Sequence, residues 1–286
     1  MPMTFVVLWS TGFIGAKLGT PYAPPITLLA MRFGIVAACL AAWMIITRIP
    51  WPTARQWREQ AEIATLLHTI YLGGVFVAVD LGLEAGAAAL ILGLQPLAIA
   101  LGAAILLNER LTWLQWAGMA LGLAGAGLVV GRKLEAGIGG PASITFALAA
   151  LVAISLGTIL QKRRSADTPM LTGNMVQFTA ATVQCTVIAL IFEDIAVRWT
   201  PVLIFALGWM VIVLSLGALT LYYILIRRGV ASEVSSLFFL VPASTAIIAW
   251  PMFGEVMGPL EIAGMGTAMC GVLLVLRPDL FRRSKA

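Results

Sequence analysis

The chain has 286 residues, 60 % of them hydrophobic and only 11 % charged, with a mean hydropathy of +0.99. A soluble globule of this length could not bury so much apolar surface, so lipid is the solvent that fits. The net charge of +5 reads as basicity facing anionic lipid headgroups, and no basic patch with interleaved aromatics points to nucleic acid.

Apolar runs long enough to cross about 30 Å of hydrocarbon fall at residues 3–20, 25–47, 63–82, 86–107, 113–131, 142–161, 170–192, 201–226, 231–253 and 259–276. The first begins without a basic leader segment or a small-x-small cleavage site, which predicts a retained helix and not a signal peptide. It carries Trp9, Ser10 and Lys17. Pro24-Pro25 opens the second run, which holds Arg32, and Pro50-Trp51-Pro52 precedes the third. His68 and Tyr71 share one face of that third run at helical spacing, and Asp80 and Glu84 follow at its far end. Gln95-Pro96 interrupts the fourth, glycines stud the fifth, and Gly137 to Pro141 separate the fifth from the sixth, which bears Ser155 and Lys162. Pro169 and Pro201 open the seventh and eighth, with Tyr222 in the latter. The ninth contains Glu233, Ser235, Ser236, Phe238 and Pro242, and Gly258-Pro259 leads into the tenth. The expected fold is an all-α integral membrane protein of ten transmembrane helices.

Residues 85–131 return at 231–277 without a gap: Pro96 maps onto Pro242, Glu109 onto Glu255 and Gly125 onto Gly271, all at one offset (242 − 96 = 146). A weaker match continues upstream, where Ser10, Gly12 and Lys17 face Ser155, Gly157 and Lys162, and Pro25 faces Pro169. The repeats therefore run over 3–131 and 142–277, five helices each. An odd number of spans inverts the second copy in the membrane, and inverted repeats around a midplane site are an architecture of secondary transporters. With the amino terminus inside, thirteen Lys and Arg residues fall on the cytoplasmic side and five on the other, which predicts both termini in the cytoplasm.

Pro96 and Pro242 each remove a backbone donor at matching places, as static bends or as paired gating kinks. Small residues in the fifth and tenth helices (Gly118, Gly122, Gly125, Gly127, Gly131; Gly264, Gly266, Ala268, Gly271) suit close backbone packing, as scaffold or as the contact of a weak homodimer, with pocket lining as the other reading. Lys17, Arg32, Asp80 and Glu84 all lie toward the outer side, where mutual pairing offsets an insertion cost of roughly 2.5–3.5 kcal/mol per charge. Gating or steering of a zwitterionic substrate is the other reading, and Lys162 with Glu233 forms the inner counterpart. Trp9, Ser10, His68, Tyr71, Gln95, Ser155, Tyr222, Ser235, Ser236 and Phe238 are the candidates for a substrate cavity at mid-depth. Any one of them also fits ordinary packing, and His68 fits either a proton relay or a hydrogen-bonded core histidine. Cys39, Cys185 and Cys270 are expected as scattered core residues, so neither metal nor cofactor is predicted.

The stretch Leu8-Trp9-Ser10-Thr11-Gly12-Phe13-Ile14 with Lys17, the Pro25…Ala30-Met31-Arg32-Phe33 entry, Leu94-Gln95-Pro96, Asn108-Glu109-Arg110-Leu111 and Pro242…Gly254-Glu255 resemble the drug/metabolite transporter superfamily in its ten-helix family with two EamA domains. Within it, the chain is similar to the YddG-type bacterial exporters of aromatic and other amino acids. The resemblance covers nearly the whole chain. It implies a secondary transporter of the bacterial inner membrane with a central cavity between the halves, bordered by Trp9, Tyr71 and Tyr222, moving small metabolites, often outward. A multidrug or other metabolite carrier of the same superfamily is the alternative. A channel lacks its rings of charge, and an intramembrane enzyme lacks any His-Glu-x-x-His or Gly-x-Ser-x-Gly set; no Walker-type loop is present to handle ATP.

Overall fold

A computed structural model describes residues 2–107, 111–165, 167–218 and 240–276. Every regular element among them is helical. We label these α1 (Pro2–Gly19), α2 (Pro25–Thr47), α3 (Ala54–Asp80), α4 (Ala85–Gly93 and Gln95–Leu107), α5 (Trp113–Glu135), α6 (Pro141–Arg164), α7 (Met170–Phe192), α8 (Pro201–Trp209, continuing as Met210–Ala218), α9 (Val241–Phe253) and α10 (Pro259–Leu276).

Local chemistry sets the ends. Pro25, Pro141 and Pro201 sit in the first turns of their helices, where a missing N–H costs nothing. Thr53 with Gln56 and Thr112 with Gln115 close capping boxes on α3 and α5. The Thr53 cap starts α3 nine residues before the apolar run at 63, giving the helix a polar first turn that hydropathy does not report.

Among the described residues seven helices are long and apolar enough to cross a membrane: α2, α3, α4, α5, α6, α7 and α10. Three shorter apolar helices, Val6–Gly19, Pro201–Gly217 and Val241–Phe253, accompany them. The last two border residues 219–239, so the full expected spans of the eighth and ninth helices lie outside the described residues. Large apolar side chains such as Ile46, Phe192, Ile212 and Ile247 point outward, as a lipid-facing surface requires. Exposed Trp51, Trp113 and Trp116 at one end and Trp199 and Trp250 at the other form the aromatic belts typical of headgroup level. Cys39 and Cys270 belong to this outer surface, contrary to their expected place in the core. Only Cys185 is buried.

Helix α2 packs on α7, and α5 packs on α10; α1 lies against α9 and α8, while α6 lies against α4 and α3. Advancing every helix by five exchanges these contacts among themselves. The α5–α10 seam brings backbone onto backbone: a Cβ at Gly118 would come within 2.7 Å of the Gly271 carbonyl, and one at Gly264 within 2.9 Å of the Gly125 carbonyl. Gly118, Gly125, Gly264 and Gly271 thus meet across one seam inside the chain, whereas Gly127, Gly131 and Gly266 have nothing within 4 Å. Two further features match across the chain: α3 widens into a π-helix at Thr65–Ile70 and α8 at Met210–Ala218, beginning one repeat apart (210 − 65 = 145).

Candidate functional site

Helix α4 breaks at Leu94, because Pro96 has no N–H to continue the ladder; the next residues donate instead to the Leu94 carbonyl (Leu97 N–H, 2.9 Å; Ala98 N–H, 3.1 Å). Beside the break a small cleft is lined by Trp9 and Phe13 of α1, Tyr71 of α3, Ala89, Leu92, Gly93, Gln95 and Pro96 of α4, Ile154 of α6 and Val241 of α9. Three of the expected cavity residues, Trp9, Tyr71 and Gln95, therefore converge, and the Gln95 amide is aimed by its bond to the Thr158 hydroxyl on α6 (3.1 Å). Phe13 is a member that the sequence reading missed, one helical turn beyond Trp9 on the same face. Pro242 stands at the start of α9 and packs over Gly93, where a Cβ would come within 2.8 Å of its ring. The two repeat-related prolines are thus near neighbours at one level of the bundle.

Other candidates lie elsewhere. Ser10 is buried and donates to the Val6 carbonyl (2.8 Å) and across to Val241 (3.3 Å), joining α1 to α9. Ser155 turns back onto the Leu151 carbonyl (2.7 Å), so its hydroxyl is consumed within α6. Tyr71 lines the cleft, whereas His68, on the π segment that precedes it, is not among the cleft-lining residues. Its ring sits between Phe33 (5.5 Å) and Phe178 (4.7 Å), with Nε2 3.2 Å from the Gln177 amide oxygen and Nδ1 buried without a hydrogen-bond partner among the described residues. Tyr222, Ser235, Ser236 and Phe238 lie outside the described residues.

The charges pair differently from the expected set. Lys17 binds Glu255, whose carboxylate also accepts the Ala85 and Gly86 N–H groups at the start of α4 (3.0 and 3.2 Å). Glu84 pairs with Lys133 (2.7 Å), and Lys133 reaches Glu261 as well (3.3 Å). Lys133, Glu255 and Glu261 were absent from the expected set; their partners come from helices distant in sequence. Asp80 is exposed and forms no ion pair, and Arg32 has no carboxylate partner among the described residues. Its Nε donates to the Ser215 hydroxyl (3.1 Å). At the opposite end Arg164 pairs with Glu62, and Gln60 donates to the Ser165 hydroxyl (3.1 Å). Lys162 is exposed there, and Glu233 lies outside the described residues. Ion pairs thus join residues before 136 to residues after 141 at both ends of the bundle.

The EamA-like transporter family model matches residues 2–131 and again 141–277. The chain belongs to that family. Among its relatives are the uncharacterized inner membrane transporter YedA of Escherichia coli (strain K12), 23 % identical over 94 % of this chain and 87 % of that protein. The probable terminal-alkyne amino-acid exporter of Streptantibioticus cattleyicolor is 27 % identical over 98 % of this chain and 94 % of that one. The probable amino-acid metabolite efflux pump of Salmonella typhimurium is 24 % identical over 96 % and 93 %. A solved crystal structure shares the fold, with a TM-score of 0.68 at 22 % identity over 99 % of this chain and 97 % of its own. The EamA relatives are named as transporters and exporters, not enzymes, and the protein is a multi-pass membrane transporter.

Proposed function

We propose that this EamA-family protein is a secondary transporter of the bacterial inner membrane that exports aromatic and other amino acids by alternating access between two inverted five-helix repeats, 3–131 and 142–277. The cleft at the α4 break carries this reading. It sits where α1, α3, α4, α6 and α9 meet, so it draws on both repeats, and it combines three aromatic side chains with an aimed amide. Apolar walls with a few convergent polar groups are the usual character of a small-molecule site. The exchange of helix contacts on advancing by five, the registered π segments and the ion pairs joining the repeats at both ends support rocking of one half against the other. The relatives named for amino-acid export supply the substrate class. Both termini are assigned to the cytoplasm by the Lys and Arg bias, and the glycine seam, being internal, leaves the protein free to act as a monomer.

An aromatic solute in the cleft gains roughly 0.5–1.5 kcal/mol per ring contact beyond simple burial. Trp9→Ala or Tyr71→Ala should therefore weaken apparent affinity for phenylalanine several-fold, about 1 kcal/mol, and that for threonine less. Competition assays in which both solutes lose equally, or neither loses, would remove these rings from the site.

A further inference from the structure

Four charges on α1, α2, α3 and the α3–α4 connection were candidates for mutual pairing, and the structure divides them. Lys17 and Glu84 each find an opposite charge, and Asp80 reaches solvent. Arg32 does neither. It is 7 % exposed, seven residues into α2 and so roughly 10 Å below the helix start. A guanidinium held at such depth without an acid is costly, and charges placed so in membrane proteins mark the path of a substrate or ion.

Its surroundings say what it is turned toward. Nε is fixed by the Ser215 hydroxyl at 3.1 Å on the π segment of α8, and the guanidinium lies 5.8 Å from the centre of the Phe33 ring. Tyr71, a wall of the cleft, begins the part of α3 that packs against α2. The two terminal amino groups make no hydrogen bond among the described residues. One edge of the fork is therefore anchored, and the other has no partner among the described residues.

We infer that Arg32 is the anchor for the carboxylate of the transported solute, holding it while the aromatic walls of the cleft take the side chain. This rests on the transporter reading above and adds the chemical class that the site demands: a monoanionic carboxylate. A planar guanidinium whose two terminal nitrogens have no partner among the described residues matches a carboxylate in a bidentate pair. A phosphate dianion would ask for a second cation, and the nearest candidate by sequence, Lys17, is committed to Glu255. The Ser215 bond sets the plane of the fork in advance, so less freedom is lost on binding.

The test uses the wild-type protein in proteoliposomes, with labelled L-phenylalanine as substrate and phenylalaninamide and phenethylamine, which lack the carboxylate, as competitors. The amine and amide should compete at least about tenfold more weakly than unlabelled phenylalanine. Arg32→Gln should raise the KM for phenylalanine by about tenfold or more and leave the weak inhibition by the two analogues unchanged, with Arg32→Lys between. If Arg32→Gln fails to give monodisperse protein, the wild-type competition series and Arg32→Lys decide. Equal competition by the amide, or an unchanged KM in the variants, would overturn the anchor while leaving transport of phenylalanine intact. A wild-type protein that carries no carboxylate-bearing solute would overturn the anchor and the exporter reading together.

Discussion

Replacing Glu255 by Gln tests the tie between α1, the α9–α10 connection and the start of α4. The carboxylate is 5 % exposed and receives three donors: the Lys17 ammonium and the N–H groups of Ala85 and Gly86. Glutamine keeps the shape and loses the charge. Hydrogen bonds to a charged group contribute about 1.5–3 kcal/mol each, against about 1 for a neutral pair. With the amide oxygen kept on Lys17 and Ala85, the NH2 group faces the Gly86 N–H and cannot accept it, so two weakened bonds and one lost give roughly 2.5–7 kcal/mol, and because the Lys17 side chain is 29 % exposed it recovers hydration, which puts the expected cost near the lower figure. That is below the roughly 3–5 kcal/mol seen when a fully buried pair is broken. Lys17→Met should cost less, about 1–2 kcal/mol, since the two backbone donors still neutralise the carboxylate at a helix N-terminus. Unfolding of the two single variants and the double variant in detergent forms a double-mutant cycle, with an expected coupling of about 1–2 kcal/mol. Additivity within about 0.5 kcal/mol would show that Lys17 and Glu255 do not stabilise each other.

Gly125→Leu should sharply reduce the yield of monodisperse protein, because its Cβ would run into the backbone of Gly264 and Ala268, neither of which can give way; Gly127→Leu, which meets nothing within 4 Å, should leave yield unchanged. Equal yields would separate α5 from α10. Pro96→Ala should slow turnover more than it weakens substrate binding if the break is a moving part, with expression largely kept; a wild-type rate would make it a static bend. A cysteine at exposed Ala136, between α5 and α6, should react with an impermeant reagent from outside intact cells of a background lacking Cys39 and Cys270. Ala136 suits this better than Gly139, whose φ of +69° resists a side chain. Reaction only after the membrane is broken would reverse the assigned topology.

Helix positions were legible because hydrophobic run length and Pro or Thr punctuation are local signals, and the structure uses Pro25, Pro141, Pro201, Thr53 and Thr112 at helix starts. The break at Gln95-Pro96 was legible for the same reason. Charge partners were not. Lys17 meets Glu255 across 238 residues, and sequence nearness had favoured Asp80 and Glu84 in its place; only the order of helices around the bundle decides such pairs. The π segments at Thr65–Ile70 and Met210–Ala218 are a change of hydrogen-bond register that hydropathy does not encode. His68 and Tyr71, one α-helical turn apart on paper, have different neighbours: Phe33 and Phe178 for the one, the cleft for the other. Which face of a wholly apolar helix meets lipid is equally silent, as exposed Cys39 shows.

Counterflow of labelled phenylalanine into proteoliposomes preloaded with unlabelled phenylalanine is the most direct measurement of alternating access, since a carrier must return its site across the membrane. Uptake that saturates with external concentration and accelerates on preloading is the expected result. Flux that rises linearly without saturation, or that ignores the preloaded solute, would contradict a carrier with one site exposed to each side in turn.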